Sequence, residues 1–310
     1  MVGGRSAYLP RGPVAGGPGV QPAAVADRQI AVSEALARDG ADVVAADPEV
    51  PAAAGGYREA ILGAGFRPIQ EIQPSRHRVA LQLGEGADEE SVFEAITRST
   101  RQRIRGAERD RVTVIRHDDR LGAGGPGEGF IGPTEPPSSA LDRFYDLLLE
   151  TGERRRFSFG PRRGFVAWWL AALAAGHLVY LEARAVEQAG AGQSLAGLIV
   201  YRHGDRLSTV HSADHATTRT EHPGALHLLR WRAIQLAIRE GCTEMDLGGV
   251  DIAGARGEPH EGDPLYGLYQ HKRAFGGRWL ELTGAHERVF DPGGYALGRL
   301  AGRVAALVRR

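Results

Sequence analysis

Twice in this chain a helical stretch runs into a glycine and then a short apolar run: ALARDGADVVAAD at 35–47 and AIREGCTEMDL at 237–247, the second with one residue inserted. A glycine just past a helix takes the left-handed backbone that ends it, and the apolar run that follows reads as a buried strand. Downstream of each, a further helix ends in Gly and Phe, YREAILGAGF at 57–66 and YGLYQHKRAFGG at 266–277, and another strand-like run follows. Helices that alternate with short strands restrict the fold to the α/β (α+β) class. One unit repeated about a domain apart points to two copies in a two-domain chain, although helix–glycine–strand junctions also occur in α/β proteins without duplication.

The longest apolar run, Gly164 to Leu181, carries no Asp, Glu, Lys or Arg. It barely reaches the length of a membrane span, and Gly176-His177 divides it into a core helix, AWWLAALAAG, and a buried strand, HLVYLEA. Other helices are expected at Leu141–Thr151 and His222–Arg239, and strands at Leu195–Arg202 and Glu244–Val250. The Gly/Pro-rich stretch 119–139 reads as a linker. It divides the chain into a first domain, 1–130, and a second, 131–290, with a C-terminal helix, 291–310, returning to the first.

Formal charge is zero, so no global field draws the chain to nucleic acid or an anionic membrane, and any such contact needs a local patch. Cys242 is the one cysteine, which excludes an intrachain disulfide and a cysteine-based metal site. The N-terminus has no apolar core of a signal peptide, so the expected location is the cytoplasm. Of the 38 Lys plus Arg residues, 37 are arginine. The one lysine is Lys272.

Asp263-Pro264 reads as the start of a helix, Asp capping and Pro in the first turn. Counting from Leu265, positions i, i+3, i+4 and i+7 are Leu265, Leu268, Tyr269 and Lys272, and Phe275 continues the stripe. Lys272 is thus expected on the inward face, with Gln270 and Arg273 elsewhere. A buried ammonium is costly unless compensated, and a compact point charge differs from arginine's planar fork. The alternative is a snorkelling lysine whose stem covers the stripe while its head reaches water.

These residues bring a family into view. LYQHKRAFGG at 268–277 resembles the LY-x-FK-x-x-FGG phrase of the FemABX-like aminoacyltransferases, with His271 where phenylalanine is usual and Lys272 at the lysine. DLGGV (246–250), LLRWRAIQLAIREGC (228–242), TRQRIRGAERDRVTV (100–114), YLPRGPV (8–14) and EIQPSRHRVALQL (71–83) match further phrases in order, over nearly the whole chain. The resemblance implies two tandem GCN5-related N-acetyltransferase-like domains with mixed central sheets, the first one short at its N-terminus. It implies transfer of an amino acid from aminoacyl-tRNA, as co-substrate, to a peptide amine of a peptidoglycan precursor, UDP-MurNAc-pentapeptide or lipid II. No metal and no other cofactor is implied. The motif lysine, thought to stabilise transition-state charge in the family, corresponds to Lys272, with Tyr269 and His271 beside it as substrate-contacting candidates.

An amine attacking an ester needs no nucleophilic side chain, only stabilisation of the developing oxyanion and an acceptor for the amine's proton. Asp246, at a strand end, is a candidate acceptor or a cap of the DLGG turn. Arg98, Arg101, Arg103, Arg105, Arg109 and Arg111 crowd one expected helix, and Arg154, Arg155 and Arg156 form a second cluster. Each is a phosphate or tRNA-contacting surface, for which Arg101 and Arg105 stand as candidates, or a solvated face. The C-terminal helix carries Leu297, Leu300, Val304 and Leu307 on one stripe, to close the first domain or to touch the inner face of a membrane. An acyl-CoA-dependent transferase of the same fold would need a Gln/Arg-x-x-Gly-x-Gly/Ala loop, which TRTEHPGALH (218–227) lacks. A non-catalytic relative that binds the precursor is the third reading.

Overall fold

The computed structural model describes residues 5–14, 20–84, 86–121, 125–155, 158–185, 193–251 and 256–308. The order begins β1 (Ser6–Leu9), α1 (Pro22–Arg38), β2 (Val43–Ala46), α2 (Gly55–Gly63), β3 (Arg67–Pro68), β4 (Arg78–Gln82), α3 (Glu89–Ala95), α4 (Arg98–Arg109) and β5 (Thr113–His117). It continues with α5 (Pro137–Arg155), α6 (Arg162–Ala174), β6 (Leu178–Arg184), β7 (Ser194–His203), β8 (Arg206–Asp214), α7 (Thr218–Glu221), α8 (Ala225–Arg239) and β9 (Glu244–Asp246). It closes with α9 (Tyr266–Arg273), β10 (Arg278–Leu280), β11 (His286–Val289) and α10 (Pro292–Val308). The strands form two mixed sheets, of order β1-β2-β11-β3 and β10-β4-β9-β8-β7-β6-β5, so the chain is mixed α/β as expected.

The helix–glycine–strand junctions form as read. Gly40 (φ 94°) and Gly241 (φ 69°) take left-handed backbone after α1 and α8, and β2 and β9 follow. The apolar run also divides where expected: α6 ends before Gly176 (φ 69°) and β6 begins at Leu178. Among the described residues no helix is long and apolar enough to cross a membrane.

The compact units run along other boundaries than 1–130 and 131–290. One comprises Met1–Arg78, Gly249–Tyr266 and Trp279–Arg310, the other Val79–Gly248 and Gly267–Arg278. The stretch 119–139 is no linker, because its end is stitched to β5: Ile131 N–H donates to Val114 O at 2.8 Å, and Arg116 N–H to Ile131 O at 3.0 Å. In the first unit the late strand β11 runs antiparallel to β2 and β3, with His286 opposite both Ala46 and Pro68. Its core gathers Val25, Ala26, Tyr57, Ile61 and Phe66 from α1, α2 and the chain after α2. The start of α10 is held there too, Tyr295 Oη donating to Glu287 Oε1 at 2.8 Å. Of its apolar stripe, Leu297 and Leu300 are exposed, and the side chains of Val304 and Leu307 lie outside the described residues.

In the second unit every residue of β6 is buried, as expected of a strand covered on both faces. Phe144, Trp169, Tyr180 and Ile199 form a core with α5 and α6, while α8 packs across β6 to β9 on intervening residues. The fit is tight at Gly197, where a Cβ would lie 2.4 Å from Phe144 and 2.9 Å from Tyr180. Overpacking of this kind costs about 1–3 kcal/mol, so Gly197→Ala is expected to lower the unfolding free energy by that amount, read by urea unfolding.

Candidate active site

The site begins where two parallel strands separate. β8 and β9 pair for three residues, ending with Ser208 opposite Asp246. β9 is also paired with β4 along its length, and beyond Asp246 the chain stays with β4, Leu247 N–H donating to Val79 O at 2.8 Å and Val79 N–H to Gly248 O at 3.1 Å. β8 stays with β7, and a bulge leaves Val210 unopposed, since Ile199 faces His211 and Val200 faces Thr209. A bulge bends its strand and re-aims the side chains around it. Thr209 Oγ1 still donates to Asp246 O at 3.1 Å, the last tie before the strands part.

Lys272 reaches this gap from α9. A Cβ on Gly248 would lie 3.3 Å from Lys272 Nζ and 3.6 Å from Thr209 O, so the missing side chain of Gly248 is what lets the ammonium approach the backbone. The same glycine sits at φ 84°, backbone that other residues rarely adopt. Tyr269, Lys272 and Phe275 are 3%, 5% and 0% exposed, so the inward stripe forms and the snorkelling alternative does not. Burial pulls the Lys272 pKa down to about 7, helped by the Arg230 charge and opposed by Asp246. The start of α9 differs from expectation. Asp263 does not cap it but accepts from His260 N–H at 2.7 Å, because a turn intervenes before the first helical residue, Tyr266.

A cleft of about 550 Å³ opens on the Leu268–His271 side of α9, walled by Val210 to Asp214 of β8, His227 and Arg230 of α8, Leu268 and His271 of α9, and Arg103 of α4; Lys272, one residue on from His271, is not part of its wall. Three of its histidines are neutral near pH 7: burial lowers His211 and His227 to about 4 and His271 to about 2. His271 packs edge-on against His227 and Phe275, at 4.8 and 5.3 Å between ring centroids. It thus fills the space of an aromatic ring while bringing ring nitrogens to the cleft wall.

The remaining sequence candidates divide. Asp246 Oδ1 accepts from Gly248 N–H at 2.7 Å, so this carboxylate caps the turn at the gap. Tyr269 lies outside the cleft wall, and its hydroxyl accepts from Arg273 Nη1 at 2.8 Å. Arg101 and Arg105 do not line the cleft either. Arg105 is exposed, its guanidinium 5.3 Å from the Phe93 ring, and α4 contributes Arg103 instead. Arg154 is engaged with Glu150 and Asp214, both at 2.7 Å, while the side chain of Arg155 and all of Arg156 lie outside the described residues. Arg230, His227 and His211 were not singled out from sequence. Helical counting would have reached the first two, since His227, Arg230 and Ile234 lie on one face of α8. Among the described residues no cluster of His, Cys, Asp or Glu is arranged to hold a metal ion.

One lysine in the chain makes its charge directly measurable. In protein labelled only at lysine, the single side-chain NMR signal should titrate with a midpoint of about 7. A midpoint near the ordinary 10.5 would show that the ammonium is solvated.

Residues 95–273, more than half of the chain, match the acetyltransferase (GNAT) domain family. Among solved structures, FemX is similar with a TM-score of 0.73 at 15% identity, covering 94% of this chain and 82% of that one. The C-terminal domain of a putative lysylphosphatidylglycerol synthetase from Agrobacterium fabrum is similar with a TM-score of 0.52 at 13% identity, covering 98% and 83%. No curated protein sequence matches the chain. The chain belongs to the acetyltransferase (GNAT) domain family, and its fold is similar to that of FemX.

Proposed function

We propose that this protein is a tRNA-dependent aminoacyltransferase that adds an amino acid to the stem-peptide amine of a peptidoglycan precursor. The observation that carries the reading is Lys272, a lysine buried where β8 and β9 part, on the helix whose Leu268 and His271 line a cleft. In the reaction the acceptor amine attacks the ester carbonyl of the aminoacyl group. The carbonyl oxygen gains charge, the bond to the ribose oxygen breaks, and that oxygen leaves with a proton that the amine gives up. The Lys272 ammonium stabilises the oxyanion and the departing oxygen. Asp246 holds the turn that shapes the gap, and His271 borders the donor's amino-acid side chain. The likeness to FemX supports this direction, as does the match to an acetyltransferase family, which transfers acyl groups to amines.

Transfer from charged tRNA to a muropeptide precursor should be measurable, and Lys272→Ala should reduce its rate by about 10²–10³-fold with the fold intact. Equal rates for the two proteins would remove the mechanism. Because the lysine is cationic below about 7, kcat should fall as pH rises through that value. Acetyl-CoA is the competing donor, favoured by the family match. Calorimetric binding of acetyl-CoA, with acetyl transfer and none from tRNA, would decide for it.

Stability provides a second check. Between about 7 and 10.5 the unfolded chain holds a proton on Lys272 that the folded chain does not. Folded stability therefore rises with pH across that window, and the burial penalty is complete below it. Lys272→Met should raise Tm at pH 6 by at least roughly 2–4 °C, with the gain fading as pH approaches 10.5. A loss of Tm at pH 6 would show that the charge is fully compensated in the fold.

A further inference from the structure

The cleft holds a buried cation of its own, distinct from Lys272. Arg230 is 6% exposed and lines the cleft from α8. Its Nε and Nη1 have no hydrogen-bond partner among the described residues. The guanidinium lies 5.9 Å from the Phe275 ring, a contact with the ring face that leaves its in-plane N–H groups unmet. Buried polar atoms are rarely left so, and a buried arginine almost always has an anion.

The surrounding side chains do not supply one. Asp214 is the acid on the cleft wall, and it is held between Arg154 Nη2 at 2.7 Å and Arg219 Nε at 3.0 Å. His227 and His271 are neutral near pH 7, and Lys272 adds positive charge. Arg103 borders the same space from α4, exposed. The cleft therefore has an excess of cation at its buried end and an open mouth through which a ligand can enter.

We propose that Arg230 is the centre of an anion subsite in this cleft, with Arg103 at its rim, that receives an oxyanion of the substrate, a phosphate or a carboxylate. A planar guanidinium with free N–H groups matches two oxygens of either group. Resting on the transferase reading above, the source is the phosphate of the donor's terminal nucleotide or the carboxylate of the acceptor peptide. The subsite itself does not depend on that reading, because it is tested with small anions and no transfer.

The probes are adenosine 5′-monophosphate against adenosine, and an N-acetylated dipeptide against its C-terminal amide, each titrated into the full chain by calorimetry or NMR. One of the two anions should bind, its neutral counterpart at least about tenfold more weakly, and the anion that binds identifies the source. Arg230→Met should lose that preference, and Arg105→Met should keep it. Thermal shift is the independent measurement. In phosphate-free buffer Arg230→Met should melt at or above the parent, since an uncompensated buried charge is removed, and added phosphate should raise the Tm of the parent alone. If the methionine variant does not fold, Arg230→Gln takes its place with the same expected loss of preference. Neither anion outbinding its neutral counterpart, or equal binding to the parent and the Arg230 variant, would overturn the subsite.

Discussion

The burial of one ammonium between two separating strands is the constraint to which the rest of the second unit answers. Taking a lysine out of water disfavours its charged form, so the chain around Lys272 is arranged to keep the head within reach of polar groups. Gly248 supplies the room by lacking a side chain, and it takes left-handed backbone that other residues rarely adopt. Thr209 ties β8 to Asp246 at the last point before the gap, and Asp246 turns its carboxylate back onto Gly248 N–H. An arginine at 272 would bring a planar fork too broad for this approach.

The cleft beside that lysine combines cations with neutral rings. Three histidines are held neutral by burial, so the positive charge of the cleft wall comes from arginine. Neutral imidazoles can both donate and accept hydrogen bonds, so they offer a ligand polar contacts without adding further repulsion. The clamp of Arg154 and Arg219 on Asp214 neutralises the acid of the wall and leaves the positive end to the ligand.

How much of this was legible in the sequence depended on how local each feature is. The junctions at Gly40 and Gly241, the division at Gly176 and the inward stripe of α9 all follow from residues within one or two turns of each other, and all appear. Lys272 was found because it is alone of its kind and lies on a countable stripe. Arg103 was hidden in a row of arginines, although it falls beside Thr100, Ile104 and Ala107, the buried face of α4. Arg101 and Arg105 carry the same charge but point elsewhere. The division near residue 130 failed for a related reason: glycine and proline mark irregular backbone, and only the bonds of Ile131 to Val114 and Arg116 show that this backbone belongs to a sheet.

The sequence by itself determined the class of fold, the positions of its helix ends and the inward face that carries Lys272. These follow from steric rules and from periodicity, which act over a few residues. The tertiary structure decided which groups meet. Arg230, His211 and His271 come from α8, β8 and α9, and they converge because β8 and β9 pair for three residues and then part. β9 lies between β4 and β8 and pairs with both, and past Asp246 the chain keeps its bonds to β4 while its ladder to β8 ends, which only the assembled sheet decides.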